Sequence, residues 1–356
     1  MPITIRSFAK INLGLKIGPA RADGFHELRT IYQTVALHDV VHVDVQPGSG
    51  IEIRCNDPRV PLDASNTCYK VAERVMKVIP QGLKPDSENS HHGTAEAVPF
   101  QNQNHELTRA SKVVIEIEKQ LPVQGGMGAA SSNAVAAMFG LEKALGTELV
   151  EGERQRIAEE VGSDLPLFLV GGTVLGTGRG ERVQGLPDIA ITHLVVVTPA
   201  VGVSTPAAFQ RWDELAARES GLTAAEATGT IEEFGQGLFA RLSEMAYPQA
   251  RPASGVPAMG GDRAETLLLD LVRAGTENDF ERVIFPEYPE LREAKRVLQR
   301  EGASYASLSG SGSTLYGLFD SADEAQTAAR RVSAAGYAAV ATKTLTRREY
   351  WDGLFL

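Results

Sequence analysis

The sequence predicts an α+β protein in two domains. Length is the first reason, since 356 residues exceed what one hydrophobic core usually organises. Pattern is the second: strand-like runs at Val40–Val45, Ile51–Arg54 and Val113–Lys119 share the first half with helical spacing at 66–79 and 134–145. The third is that the apolar run Leu194–Val197 starts the mixture again, followed by amphipathic helices at 264–274 and 289–301 and a strand at Thr314–Phe319. The expected division is 1–190 and 191–356, with a polar insertion at about 84–111 and an irregular one at about 218–262.

Along the chain, Ala9-Lys10-Ile11-Asn12-Leu13 alternates apolar and polar residues and puts Lys10 and Asn12 on one strand face. A lysine beside an asparagine can serve an anion; an edge strand with a solvated face produces the same pattern. Asp23-Gly24 marks a turn, and Phe25-His26 sets an aromatic ring beside an imidazole, a pair suited to a flat heterocycle or to packing at the turn. Pro47-Gly48-Ser49-Gly50 between two strands reads as a hairpin. Asn66 is a candidate N-cap for a helix whose Cys68, Ala72, Val75, Met76 and Ile79 share a face, with Lys70 one turn on. From Lys84 to Ser111 the periodicity dissolves, and His91, His92 and His105 fall in a run whose composition favours a mobile insertion over a metal site.

PVQGGMGAASSN, Pro122 to Asn133, lies between a strand and a helix with apolar residues at Ala134, Met138, Leu141 and Leu145. Gly125, Gly126 and Gly128 tolerate dihedrals that a Cβ obstructs, and Ser131 and Ser132 bring hydroxyls to a helix start whose amides lack intrahelical partners. That is a candidate phosphate cradle. It is not a P-loop, because no lysine precedes the hydroxyl residue, and a tight strand-to-helix connection would use the same glycines.

Farther on, a helix near Glu153–Val161 runs into Gly162-Ser163-Asp164-Leu165-Pro166, where Asp164 sits at a break and is either a cap or a functional carboxylate. Gly171 to Gly180 holds five glycines and suggests tightly packed strands with a sharp turn. Helical spacing runs through Phe209, returns near Ile231–Met245 ahead of a Pro/Gly-rich linker at Pro248–Gly261, and Ser321 with Glu324 fits a capping box for a final helix facing inward through Ala325, Ala328, Ala329 and Val332.

Composition narrows the class. Hydrophobic residues make up 43% and charged residues 22%, ordinary for a soluble domain, and the net charge of −10 argues against general nucleic-acid binding. Two cysteines, Cys55 and Cys68, lack metal-ligand spacing and favour a reducing compartment. No segment offers the roughly 18 consecutive apolar residues of a membrane span, so a cytoplasmic protein without a membrane partner is expected.

Three separated stretches, AKINLGL, PVQGGMGAASSNA and SLSGSGSTLYGLF, together resemble the three motifs of the GHMP kinase superfamily. RADGFHELRTIYQ, GSDLPLFLVGGTVLGTGRGE and PEYPELREAKRVLQREGA are similar to its branch that phosphorylates cytidine-diphosphate-linked methylerythritol. The resemblance implies a two-domain fold with the active site in the cleft between the domains, ATP as phosphoryl donor, a small-molecule alcohol as acceptor, and a monomer or homodimer. It implies Asp164 as proton acceptor beside Lys10, Phe25 and His26 on the cytosine ring, and Asn12 on the polar tail. Asn66, Lys70, Pro122, Gly125, Gly126, Gly128, Ser131 and Ser132 would lie toward the nucleotide, Ser132 near Mg²⁺, with Gly310, Ser311 and Gly312 closing the site. No aspartate pair or histidine cluster marks a protein-held metal, so Mg²⁺ is expected to arrive with ATP. Ala129 and Ala130 stand where the family usually has glycines, which restricts φ and narrows the expected pocket. Phe25 stands where tyrosine is common. Within the superfamily, a sugar, homoserine or mevalonate-like alcohol is the alternative acceptor, and a catalytically silent nucleotide binder the alternative class.

Overall fold

The computed structural model describes residues 1–82, 111–123, 125–218 and 277–356. Its backbone element is a long antiparallel ribbon of β1 (Ile3–Ala20) and β2 (His26–Pro47). The turn between them closes with Arg21 N–H donating to Phe25 O at 2.6 Å, and Gly24 adopts the left-handed φ of 82° that the Asp-Gly signal predicts. Register shifts at Phe8/Ala9 and Asn12/Gly14 bend β1 where the chemistry-bearing residues stand.

Around the ribbon the first sheet runs β3 (Gly50–Cys55), β4 (Ser111–Glu118), β2, β5 (Thr173–Thr177), β6 (Arg182–Gly185), with β1 paired to β2. The expected hairpin at Pro47–Gly50 is corrected here. The turn is present, but β4 inserts between β2 and β3, antiparallel to the first and parallel to the second. Burial decides it: Val113, Ile115 and Ile117 of β4 are almost wholly covered, more apolar surface than the short β3 offers to that central slot. The solvated face expected of Ala9–Leu13 is likewise overturned: β1 has β2 as its one ladder partner among the described residues, yet all five residues are buried.

Helices α1 (Thr67–Gly82), α2 (Ala129–Leu145), α3 (Glu151–Val161) and the single turn α4 (Leu165–Phe168) belong to this half. Val71, Val75 and Ile79 of α1 join Ala134, Met138 and Leu141 of α2 in one core with Val43 and Ile115 of the sheet. Gly140 lets α2 lie on the sheet, for a Cβ there would stand 2.6 Å from Val43 Cγ2.

The second sheet has the order β10 (Ala338–Lys343), β7 (His193–Thr198), β9 (Leu315–Phe319), β8 (Tyr305–Leu308). It is covered by α5 (Thr205–Arg218), α6 (Glu281–Ile284), α7 (Pro289–Arg300) and α8 (Ala322–Ala334). Ser321 caps α8 by accepting from Glu324 N–H, and Ala325, Ala328, Ala329 and Val332 are its buried face. That helix is not the last. The chain continues through β10 into α9 (Arg347–Asp352), where Thr346 and Glu349 form the complete capping box. Leu345, Tyr350 and Leu354 then pack into the core of the first half, and Tyr350 Oη donates to Phe168 O at 2.6 Å. The chain beyond 191 therefore contributes to both cores.

Between the sheets lies a third apolar cluster: Ala9, Ile11 and Leu13 of β1 meet Leu194, Val196, Tyr316 and Leu318. It holds β1 at the junction of the two halves. The histidines at 91, 92 and 105, most of the 84–111 and 218–262 stretches, and the segments expected as a helix at 231–245, a linker at 248–261 and a helix at 264–274 lie outside the described residues.

Candidate active site

The loop ahead of α2 is shaped by protein contacts on one side. Its carbonyls are tied off: Gly125 O accepts from Thr314 N–H, Gly126 O from Ser309 Oγ at 3.1 Å, and Met127 O from Lys10 N–H at 3.0 Å. Amides are the polar groups left to meet a ligand. Gly126 has φ +83°, and a Cβ on it would stand 2.2 Å from Ser309 O. This glycine is demanded by the neighbouring loop as much as by any ligand. The 309–312 loop also reaches the Lys10–Asn12 pair, an ideal Cβ on Gly310 standing 3.3 Å from Asn12 Oδ1 and 3.6 Å from Lys10 Nζ. It is pressed against Gly125 and Gly126, with Ser311 Oγ 2.8 Å from Thr205 Oγ1, and none of Gly310, Ser311 and Gly312 lines the cleft.

Helix α2 begins earlier than its serines suggest. Gly128, with φ 67°, occupies the N-cap without a side-chain cap, and the first intrahelical bond runs from Ser132 N–H to Gly128 O. Ala129, Ala130 and Ser131 thus carry the first-turn amides, at the positive end of the helix dipole. A cleft of about 460 Å³ opens there, lined by Pro122, Gly125, Gly126, Gly128, Ser131 and Asp164 among others. Ser132 is not part of that lining. It is 2% exposed and its hydroxyl accepts from Ser7 Oγ at 2.8 Å.

Asp164 precedes α4 in helical conformation but caps nothing. Its carboxylate instead meets Lys10, with Oδ2 3.5 Å from Nζ, and Tyr32, whose hydroxyl donates to Oδ1 at 3.3 Å. Lys10 is held in turn: Nζ donates to Asn12 Oδ1 at 2.7 Å and lies 5.3 Å from the centre of the Tyr32 ring. Asn12 Nδ2 donates to Thr30 Oγ1 at 2.7 Å, so this amide is an orienting group for Lys10 with little surface for a ligand. Burial, followed by the Asp164 charge, pushes the Tyr32 phenol well above its ordinary value, so it remains a proton donor.

Asn66 lines the cleft and also caps α1, Oδ1 accepting from Cys68 N–H at 2.8 Å. Lys70 is absent from the lining. Phe25 and His26 stand apart from this cleft. Phe25 is half exposed under the Arg179 guanidinium, 4.8 Å from its ring. The His26 imidazole stacks on Phe209 of α5 at 5.1 Å, and its Nε2 is 2.7 Å from Asp213 Oδ1.

Tyr32, Asp39, Arg179 and Asp213 are the residues that sequence reasoning missed. Tyr32 lies in the RTIYQ segment and faces Asn12 across the ribbon, a cross-strand signal that needs the register to be read. Among the described residues no cluster of three acidic, histidine or cysteine side chains is arranged to hold a metal. Nor is any helix among them long and apolar enough to cross a membrane.

Comparison with known proteins extends this geometry. The GHMP kinases N terminal domain family matches residues 94–172, and the GHMP kinases C terminal family matches residues 263–338. A 4-diphosphocytidyl-2-C-methyl-D-erythritol kinase from Solibacter usitatus is 31% identical over 315 residues, spanning 88% of this chain and 80% of its own. One of the same name from Nocardia farcinica is 32% identical over 340 residues, spanning 95% and 91%. The fold is similar to the crystal structure of a 4-(cytidine 5'-diphospho)-2C-methyl-D-erythritol kinase, with TM-score 0.63, 24% identity and coverage of 96% and 99%. A homoserine kinase from Cytophaga hutchinsonii gives TM-score 0.65 at 16% identity, covering 97% and 95%.

Proposed function

The chain belongs to the 4-diphosphocytidyl-2-C-methyl-D-erythritol kinase family of GHMP kinases, and from that premise we propose that it transfers the γ-phosphoryl of ATP to the 2-hydroxyl of that cytidyl alcohol, a step in isoprenoid precursor synthesis. The observation that carries this reading is Asp164 in the lining of the same cleft as the amide-bearing start of α2, with Lys10 Nζ 3.5 Å from its Oδ2.

The residues fit a polyphosphate. Committed carbonyls, free first-turn amides and the dipole of α2 favour negative charge where Gly125 to Ser131 line the cleft. The two alanines leave that helix start intact, with Ala130 exposed and its carbonyl accepting from Thr67 Oγ1 at 2.9 Å. Mg²⁺, brought with ATP, would supply charge neutralisation between the phosphates, and the Ser131 hydroxyl is the nearer candidate for its shell because Ser132 is turned to Ser7.

In this reading Asp164 accepts the proton of the acceptor hydroxyl. Tyr32 and Lys10 fix the two carboxylate oxygens, and the Lys10 ammonium offsets charge on the transferring phosphoryl. General-base help is worth about 10²–10⁴-fold, so positioning and charge stabilisation supply the larger part of the acceleration. Phe25, beneath Arg179, and His26, braced by Phe209 and Asp213, would take the pyrimidine end.

An ADP-coupled assay with the cytidyl alcohol tests the reading. Turnover with homoserine, mevalonate or a sugar, and none with the cytidyl alcohol, would refute it.

A further inference from the structure

Asp39 is fully buried, belongs to neither half of the chemistry above, and gathers four donors. Its Oδ1 accepts from Gln120 N–H and Leu121 N–H, both at 2.7 Å. Its Oδ2 accepts from Lys119 Nζ at 2.6 Å and Asn133 Nδ2 at 3.0 Å. Lys119, Gln120 and Leu121 lead into the Pro122–Gly128 loop, and Asn133 lies in α2 just after it. One carboxylate thus ties the entry and the exit of the loop together.

We propose that Asp39 is a positioning residue for nucleotide binding: it fixes the span of the loop, so that the amides at the start of α2 stand ready before the phosphates arrive. This rests on the reading of that loop as the phosphate-binding element. Only a carboxylate satisfies the geometry, because all four groups are donors and each oxygen takes two. An asparagine would keep one acceptor oxygen and turn its own NH₂ toward either the two amides or Lys119 and Asn133. Lys119 is 5% exposed at its side chain, so the ion pair is screened little by solvent. Displacements of about 1 Å in such supports cost up to about 10²-fold at a reacting centre.

The test compares wild type, Asp39→Asn, Lys119→Met and the double variant as full chains. It reads KM for ATP, KM for the cytidyl alcohol, ADP affinity by calorimetry, and Tm. Asp39→Asn is expected to raise KM for ATP and weaken ADP by about tenfold or more, the scale of one charge-assisted hydrogen bond, with KM for the alcohol unchanged. The double variant leaves no unpaired buried charge and so keeps the fold if Asp39→Asn loses it. It should bind ADP several-fold more weakly than Lys119→Met, which separates the carboxylate from any contact the lysine makes itself. Equal ADP affinity in those two variants overturns the proposal, as does a parallel rise of both KM values in folded Asp39→Asn. Wild type that fails to bind ADP overturns the reading of the loop, and this proposal with it.

Discussion

Lys10 Nζ lies 3.5 Å from Asp164 Oδ2, although the two residues sit at opposite ends of the N-terminal half in sequence. The same lysine's backbone N–H donates to Met127 O, so one residue touches both the carboxylate and the glycine loop. The pair requires β1 to run beneath the loop, where the inter-sheet cluster holds it.

Replacing Asp164 by asparagine removes the proton acceptor and keeps the shape. Turnover should fall by about 10²–10⁴-fold, with ADP affinity retained. Steady-state kinetics and calorimetry check this, and unchanged turnover would move the proton acceptor elsewhere.

Lys10→Met should lower kcat by about 10²–10³-fold, the usual scale for losing one charge-stabilising donor. Arginine is not expected to rescue it, because the buried slot that places Nζ 2.7 Å from Asn12 Oδ1 does not accept a planar guanidinium. A Lys10→Arg enzyme as fast as wild type would contradict this geometry.

Tyr32→Phe keeps the ring beneath Lys10 and loses only the hydroxyl. Because the bond to Asp164 is long at 3.3 Å, the expected cost is about 1 kcal/mol, or roughly fivefold in kcat, with little change in either KM. A change in Tm without a change in kcat would make the contact structural only.

Stability should fall in alkali. Burial holds the phenols of Tyr32, Tyr316 and Tyr350 above their ordinary range and pushes Tyr305 up to about 12. The unfolded chain releases these protons near pH 10, so above it the folded state binds more protons than the unfolded state, and stability declines as pH rises. The contribution is intact below about pH 10 and is lost through the folded values. Urea midpoints measured between pH 8 and 11 should decrease, and Tyr316→Phe should flatten the slope; a midpoint constant to pH 11 would contradict the burial assignment.

Gly126→Ala and Gly146→Ala separate strain from collision. Both positions have left-handed φ, but Gly146 has nothing within 4 Å of its ideal Cβ, whereas at Gly126 that atom meets Ser309 O at 2.2 Å. Gly146→Ala should cost about 1–2 kcal/mol in chemical unfolding. Gly126→Ala should cost more and also raise KM for ATP, because the 309–312 loop or the phosphate loop must shift. Equal costs and an unchanged KM would show that the two loops yield freely.

What the sequence determined by itself was local. Periodicity located α2, α7, α8 and β7, the Asp-Gly pair marked the turn at Gly24, and Asn66 and Ser321 announced caps, because each signal depends on neighbours within a turn or two. The three motifs also carried the family, since they are short contiguous patterns. Tertiary structure alone decided that β4 separates β2 from β3, that the two glycine loops press on each other, and that the C-terminal residues return to the first core. It alone brought Tyr32 to Asp164 across 132 positions and Asp213 to His26 across 187. Strand order and side-chain pairing at such separations follow from which apolar faces cover one another, and that competition has no local signature in the chain.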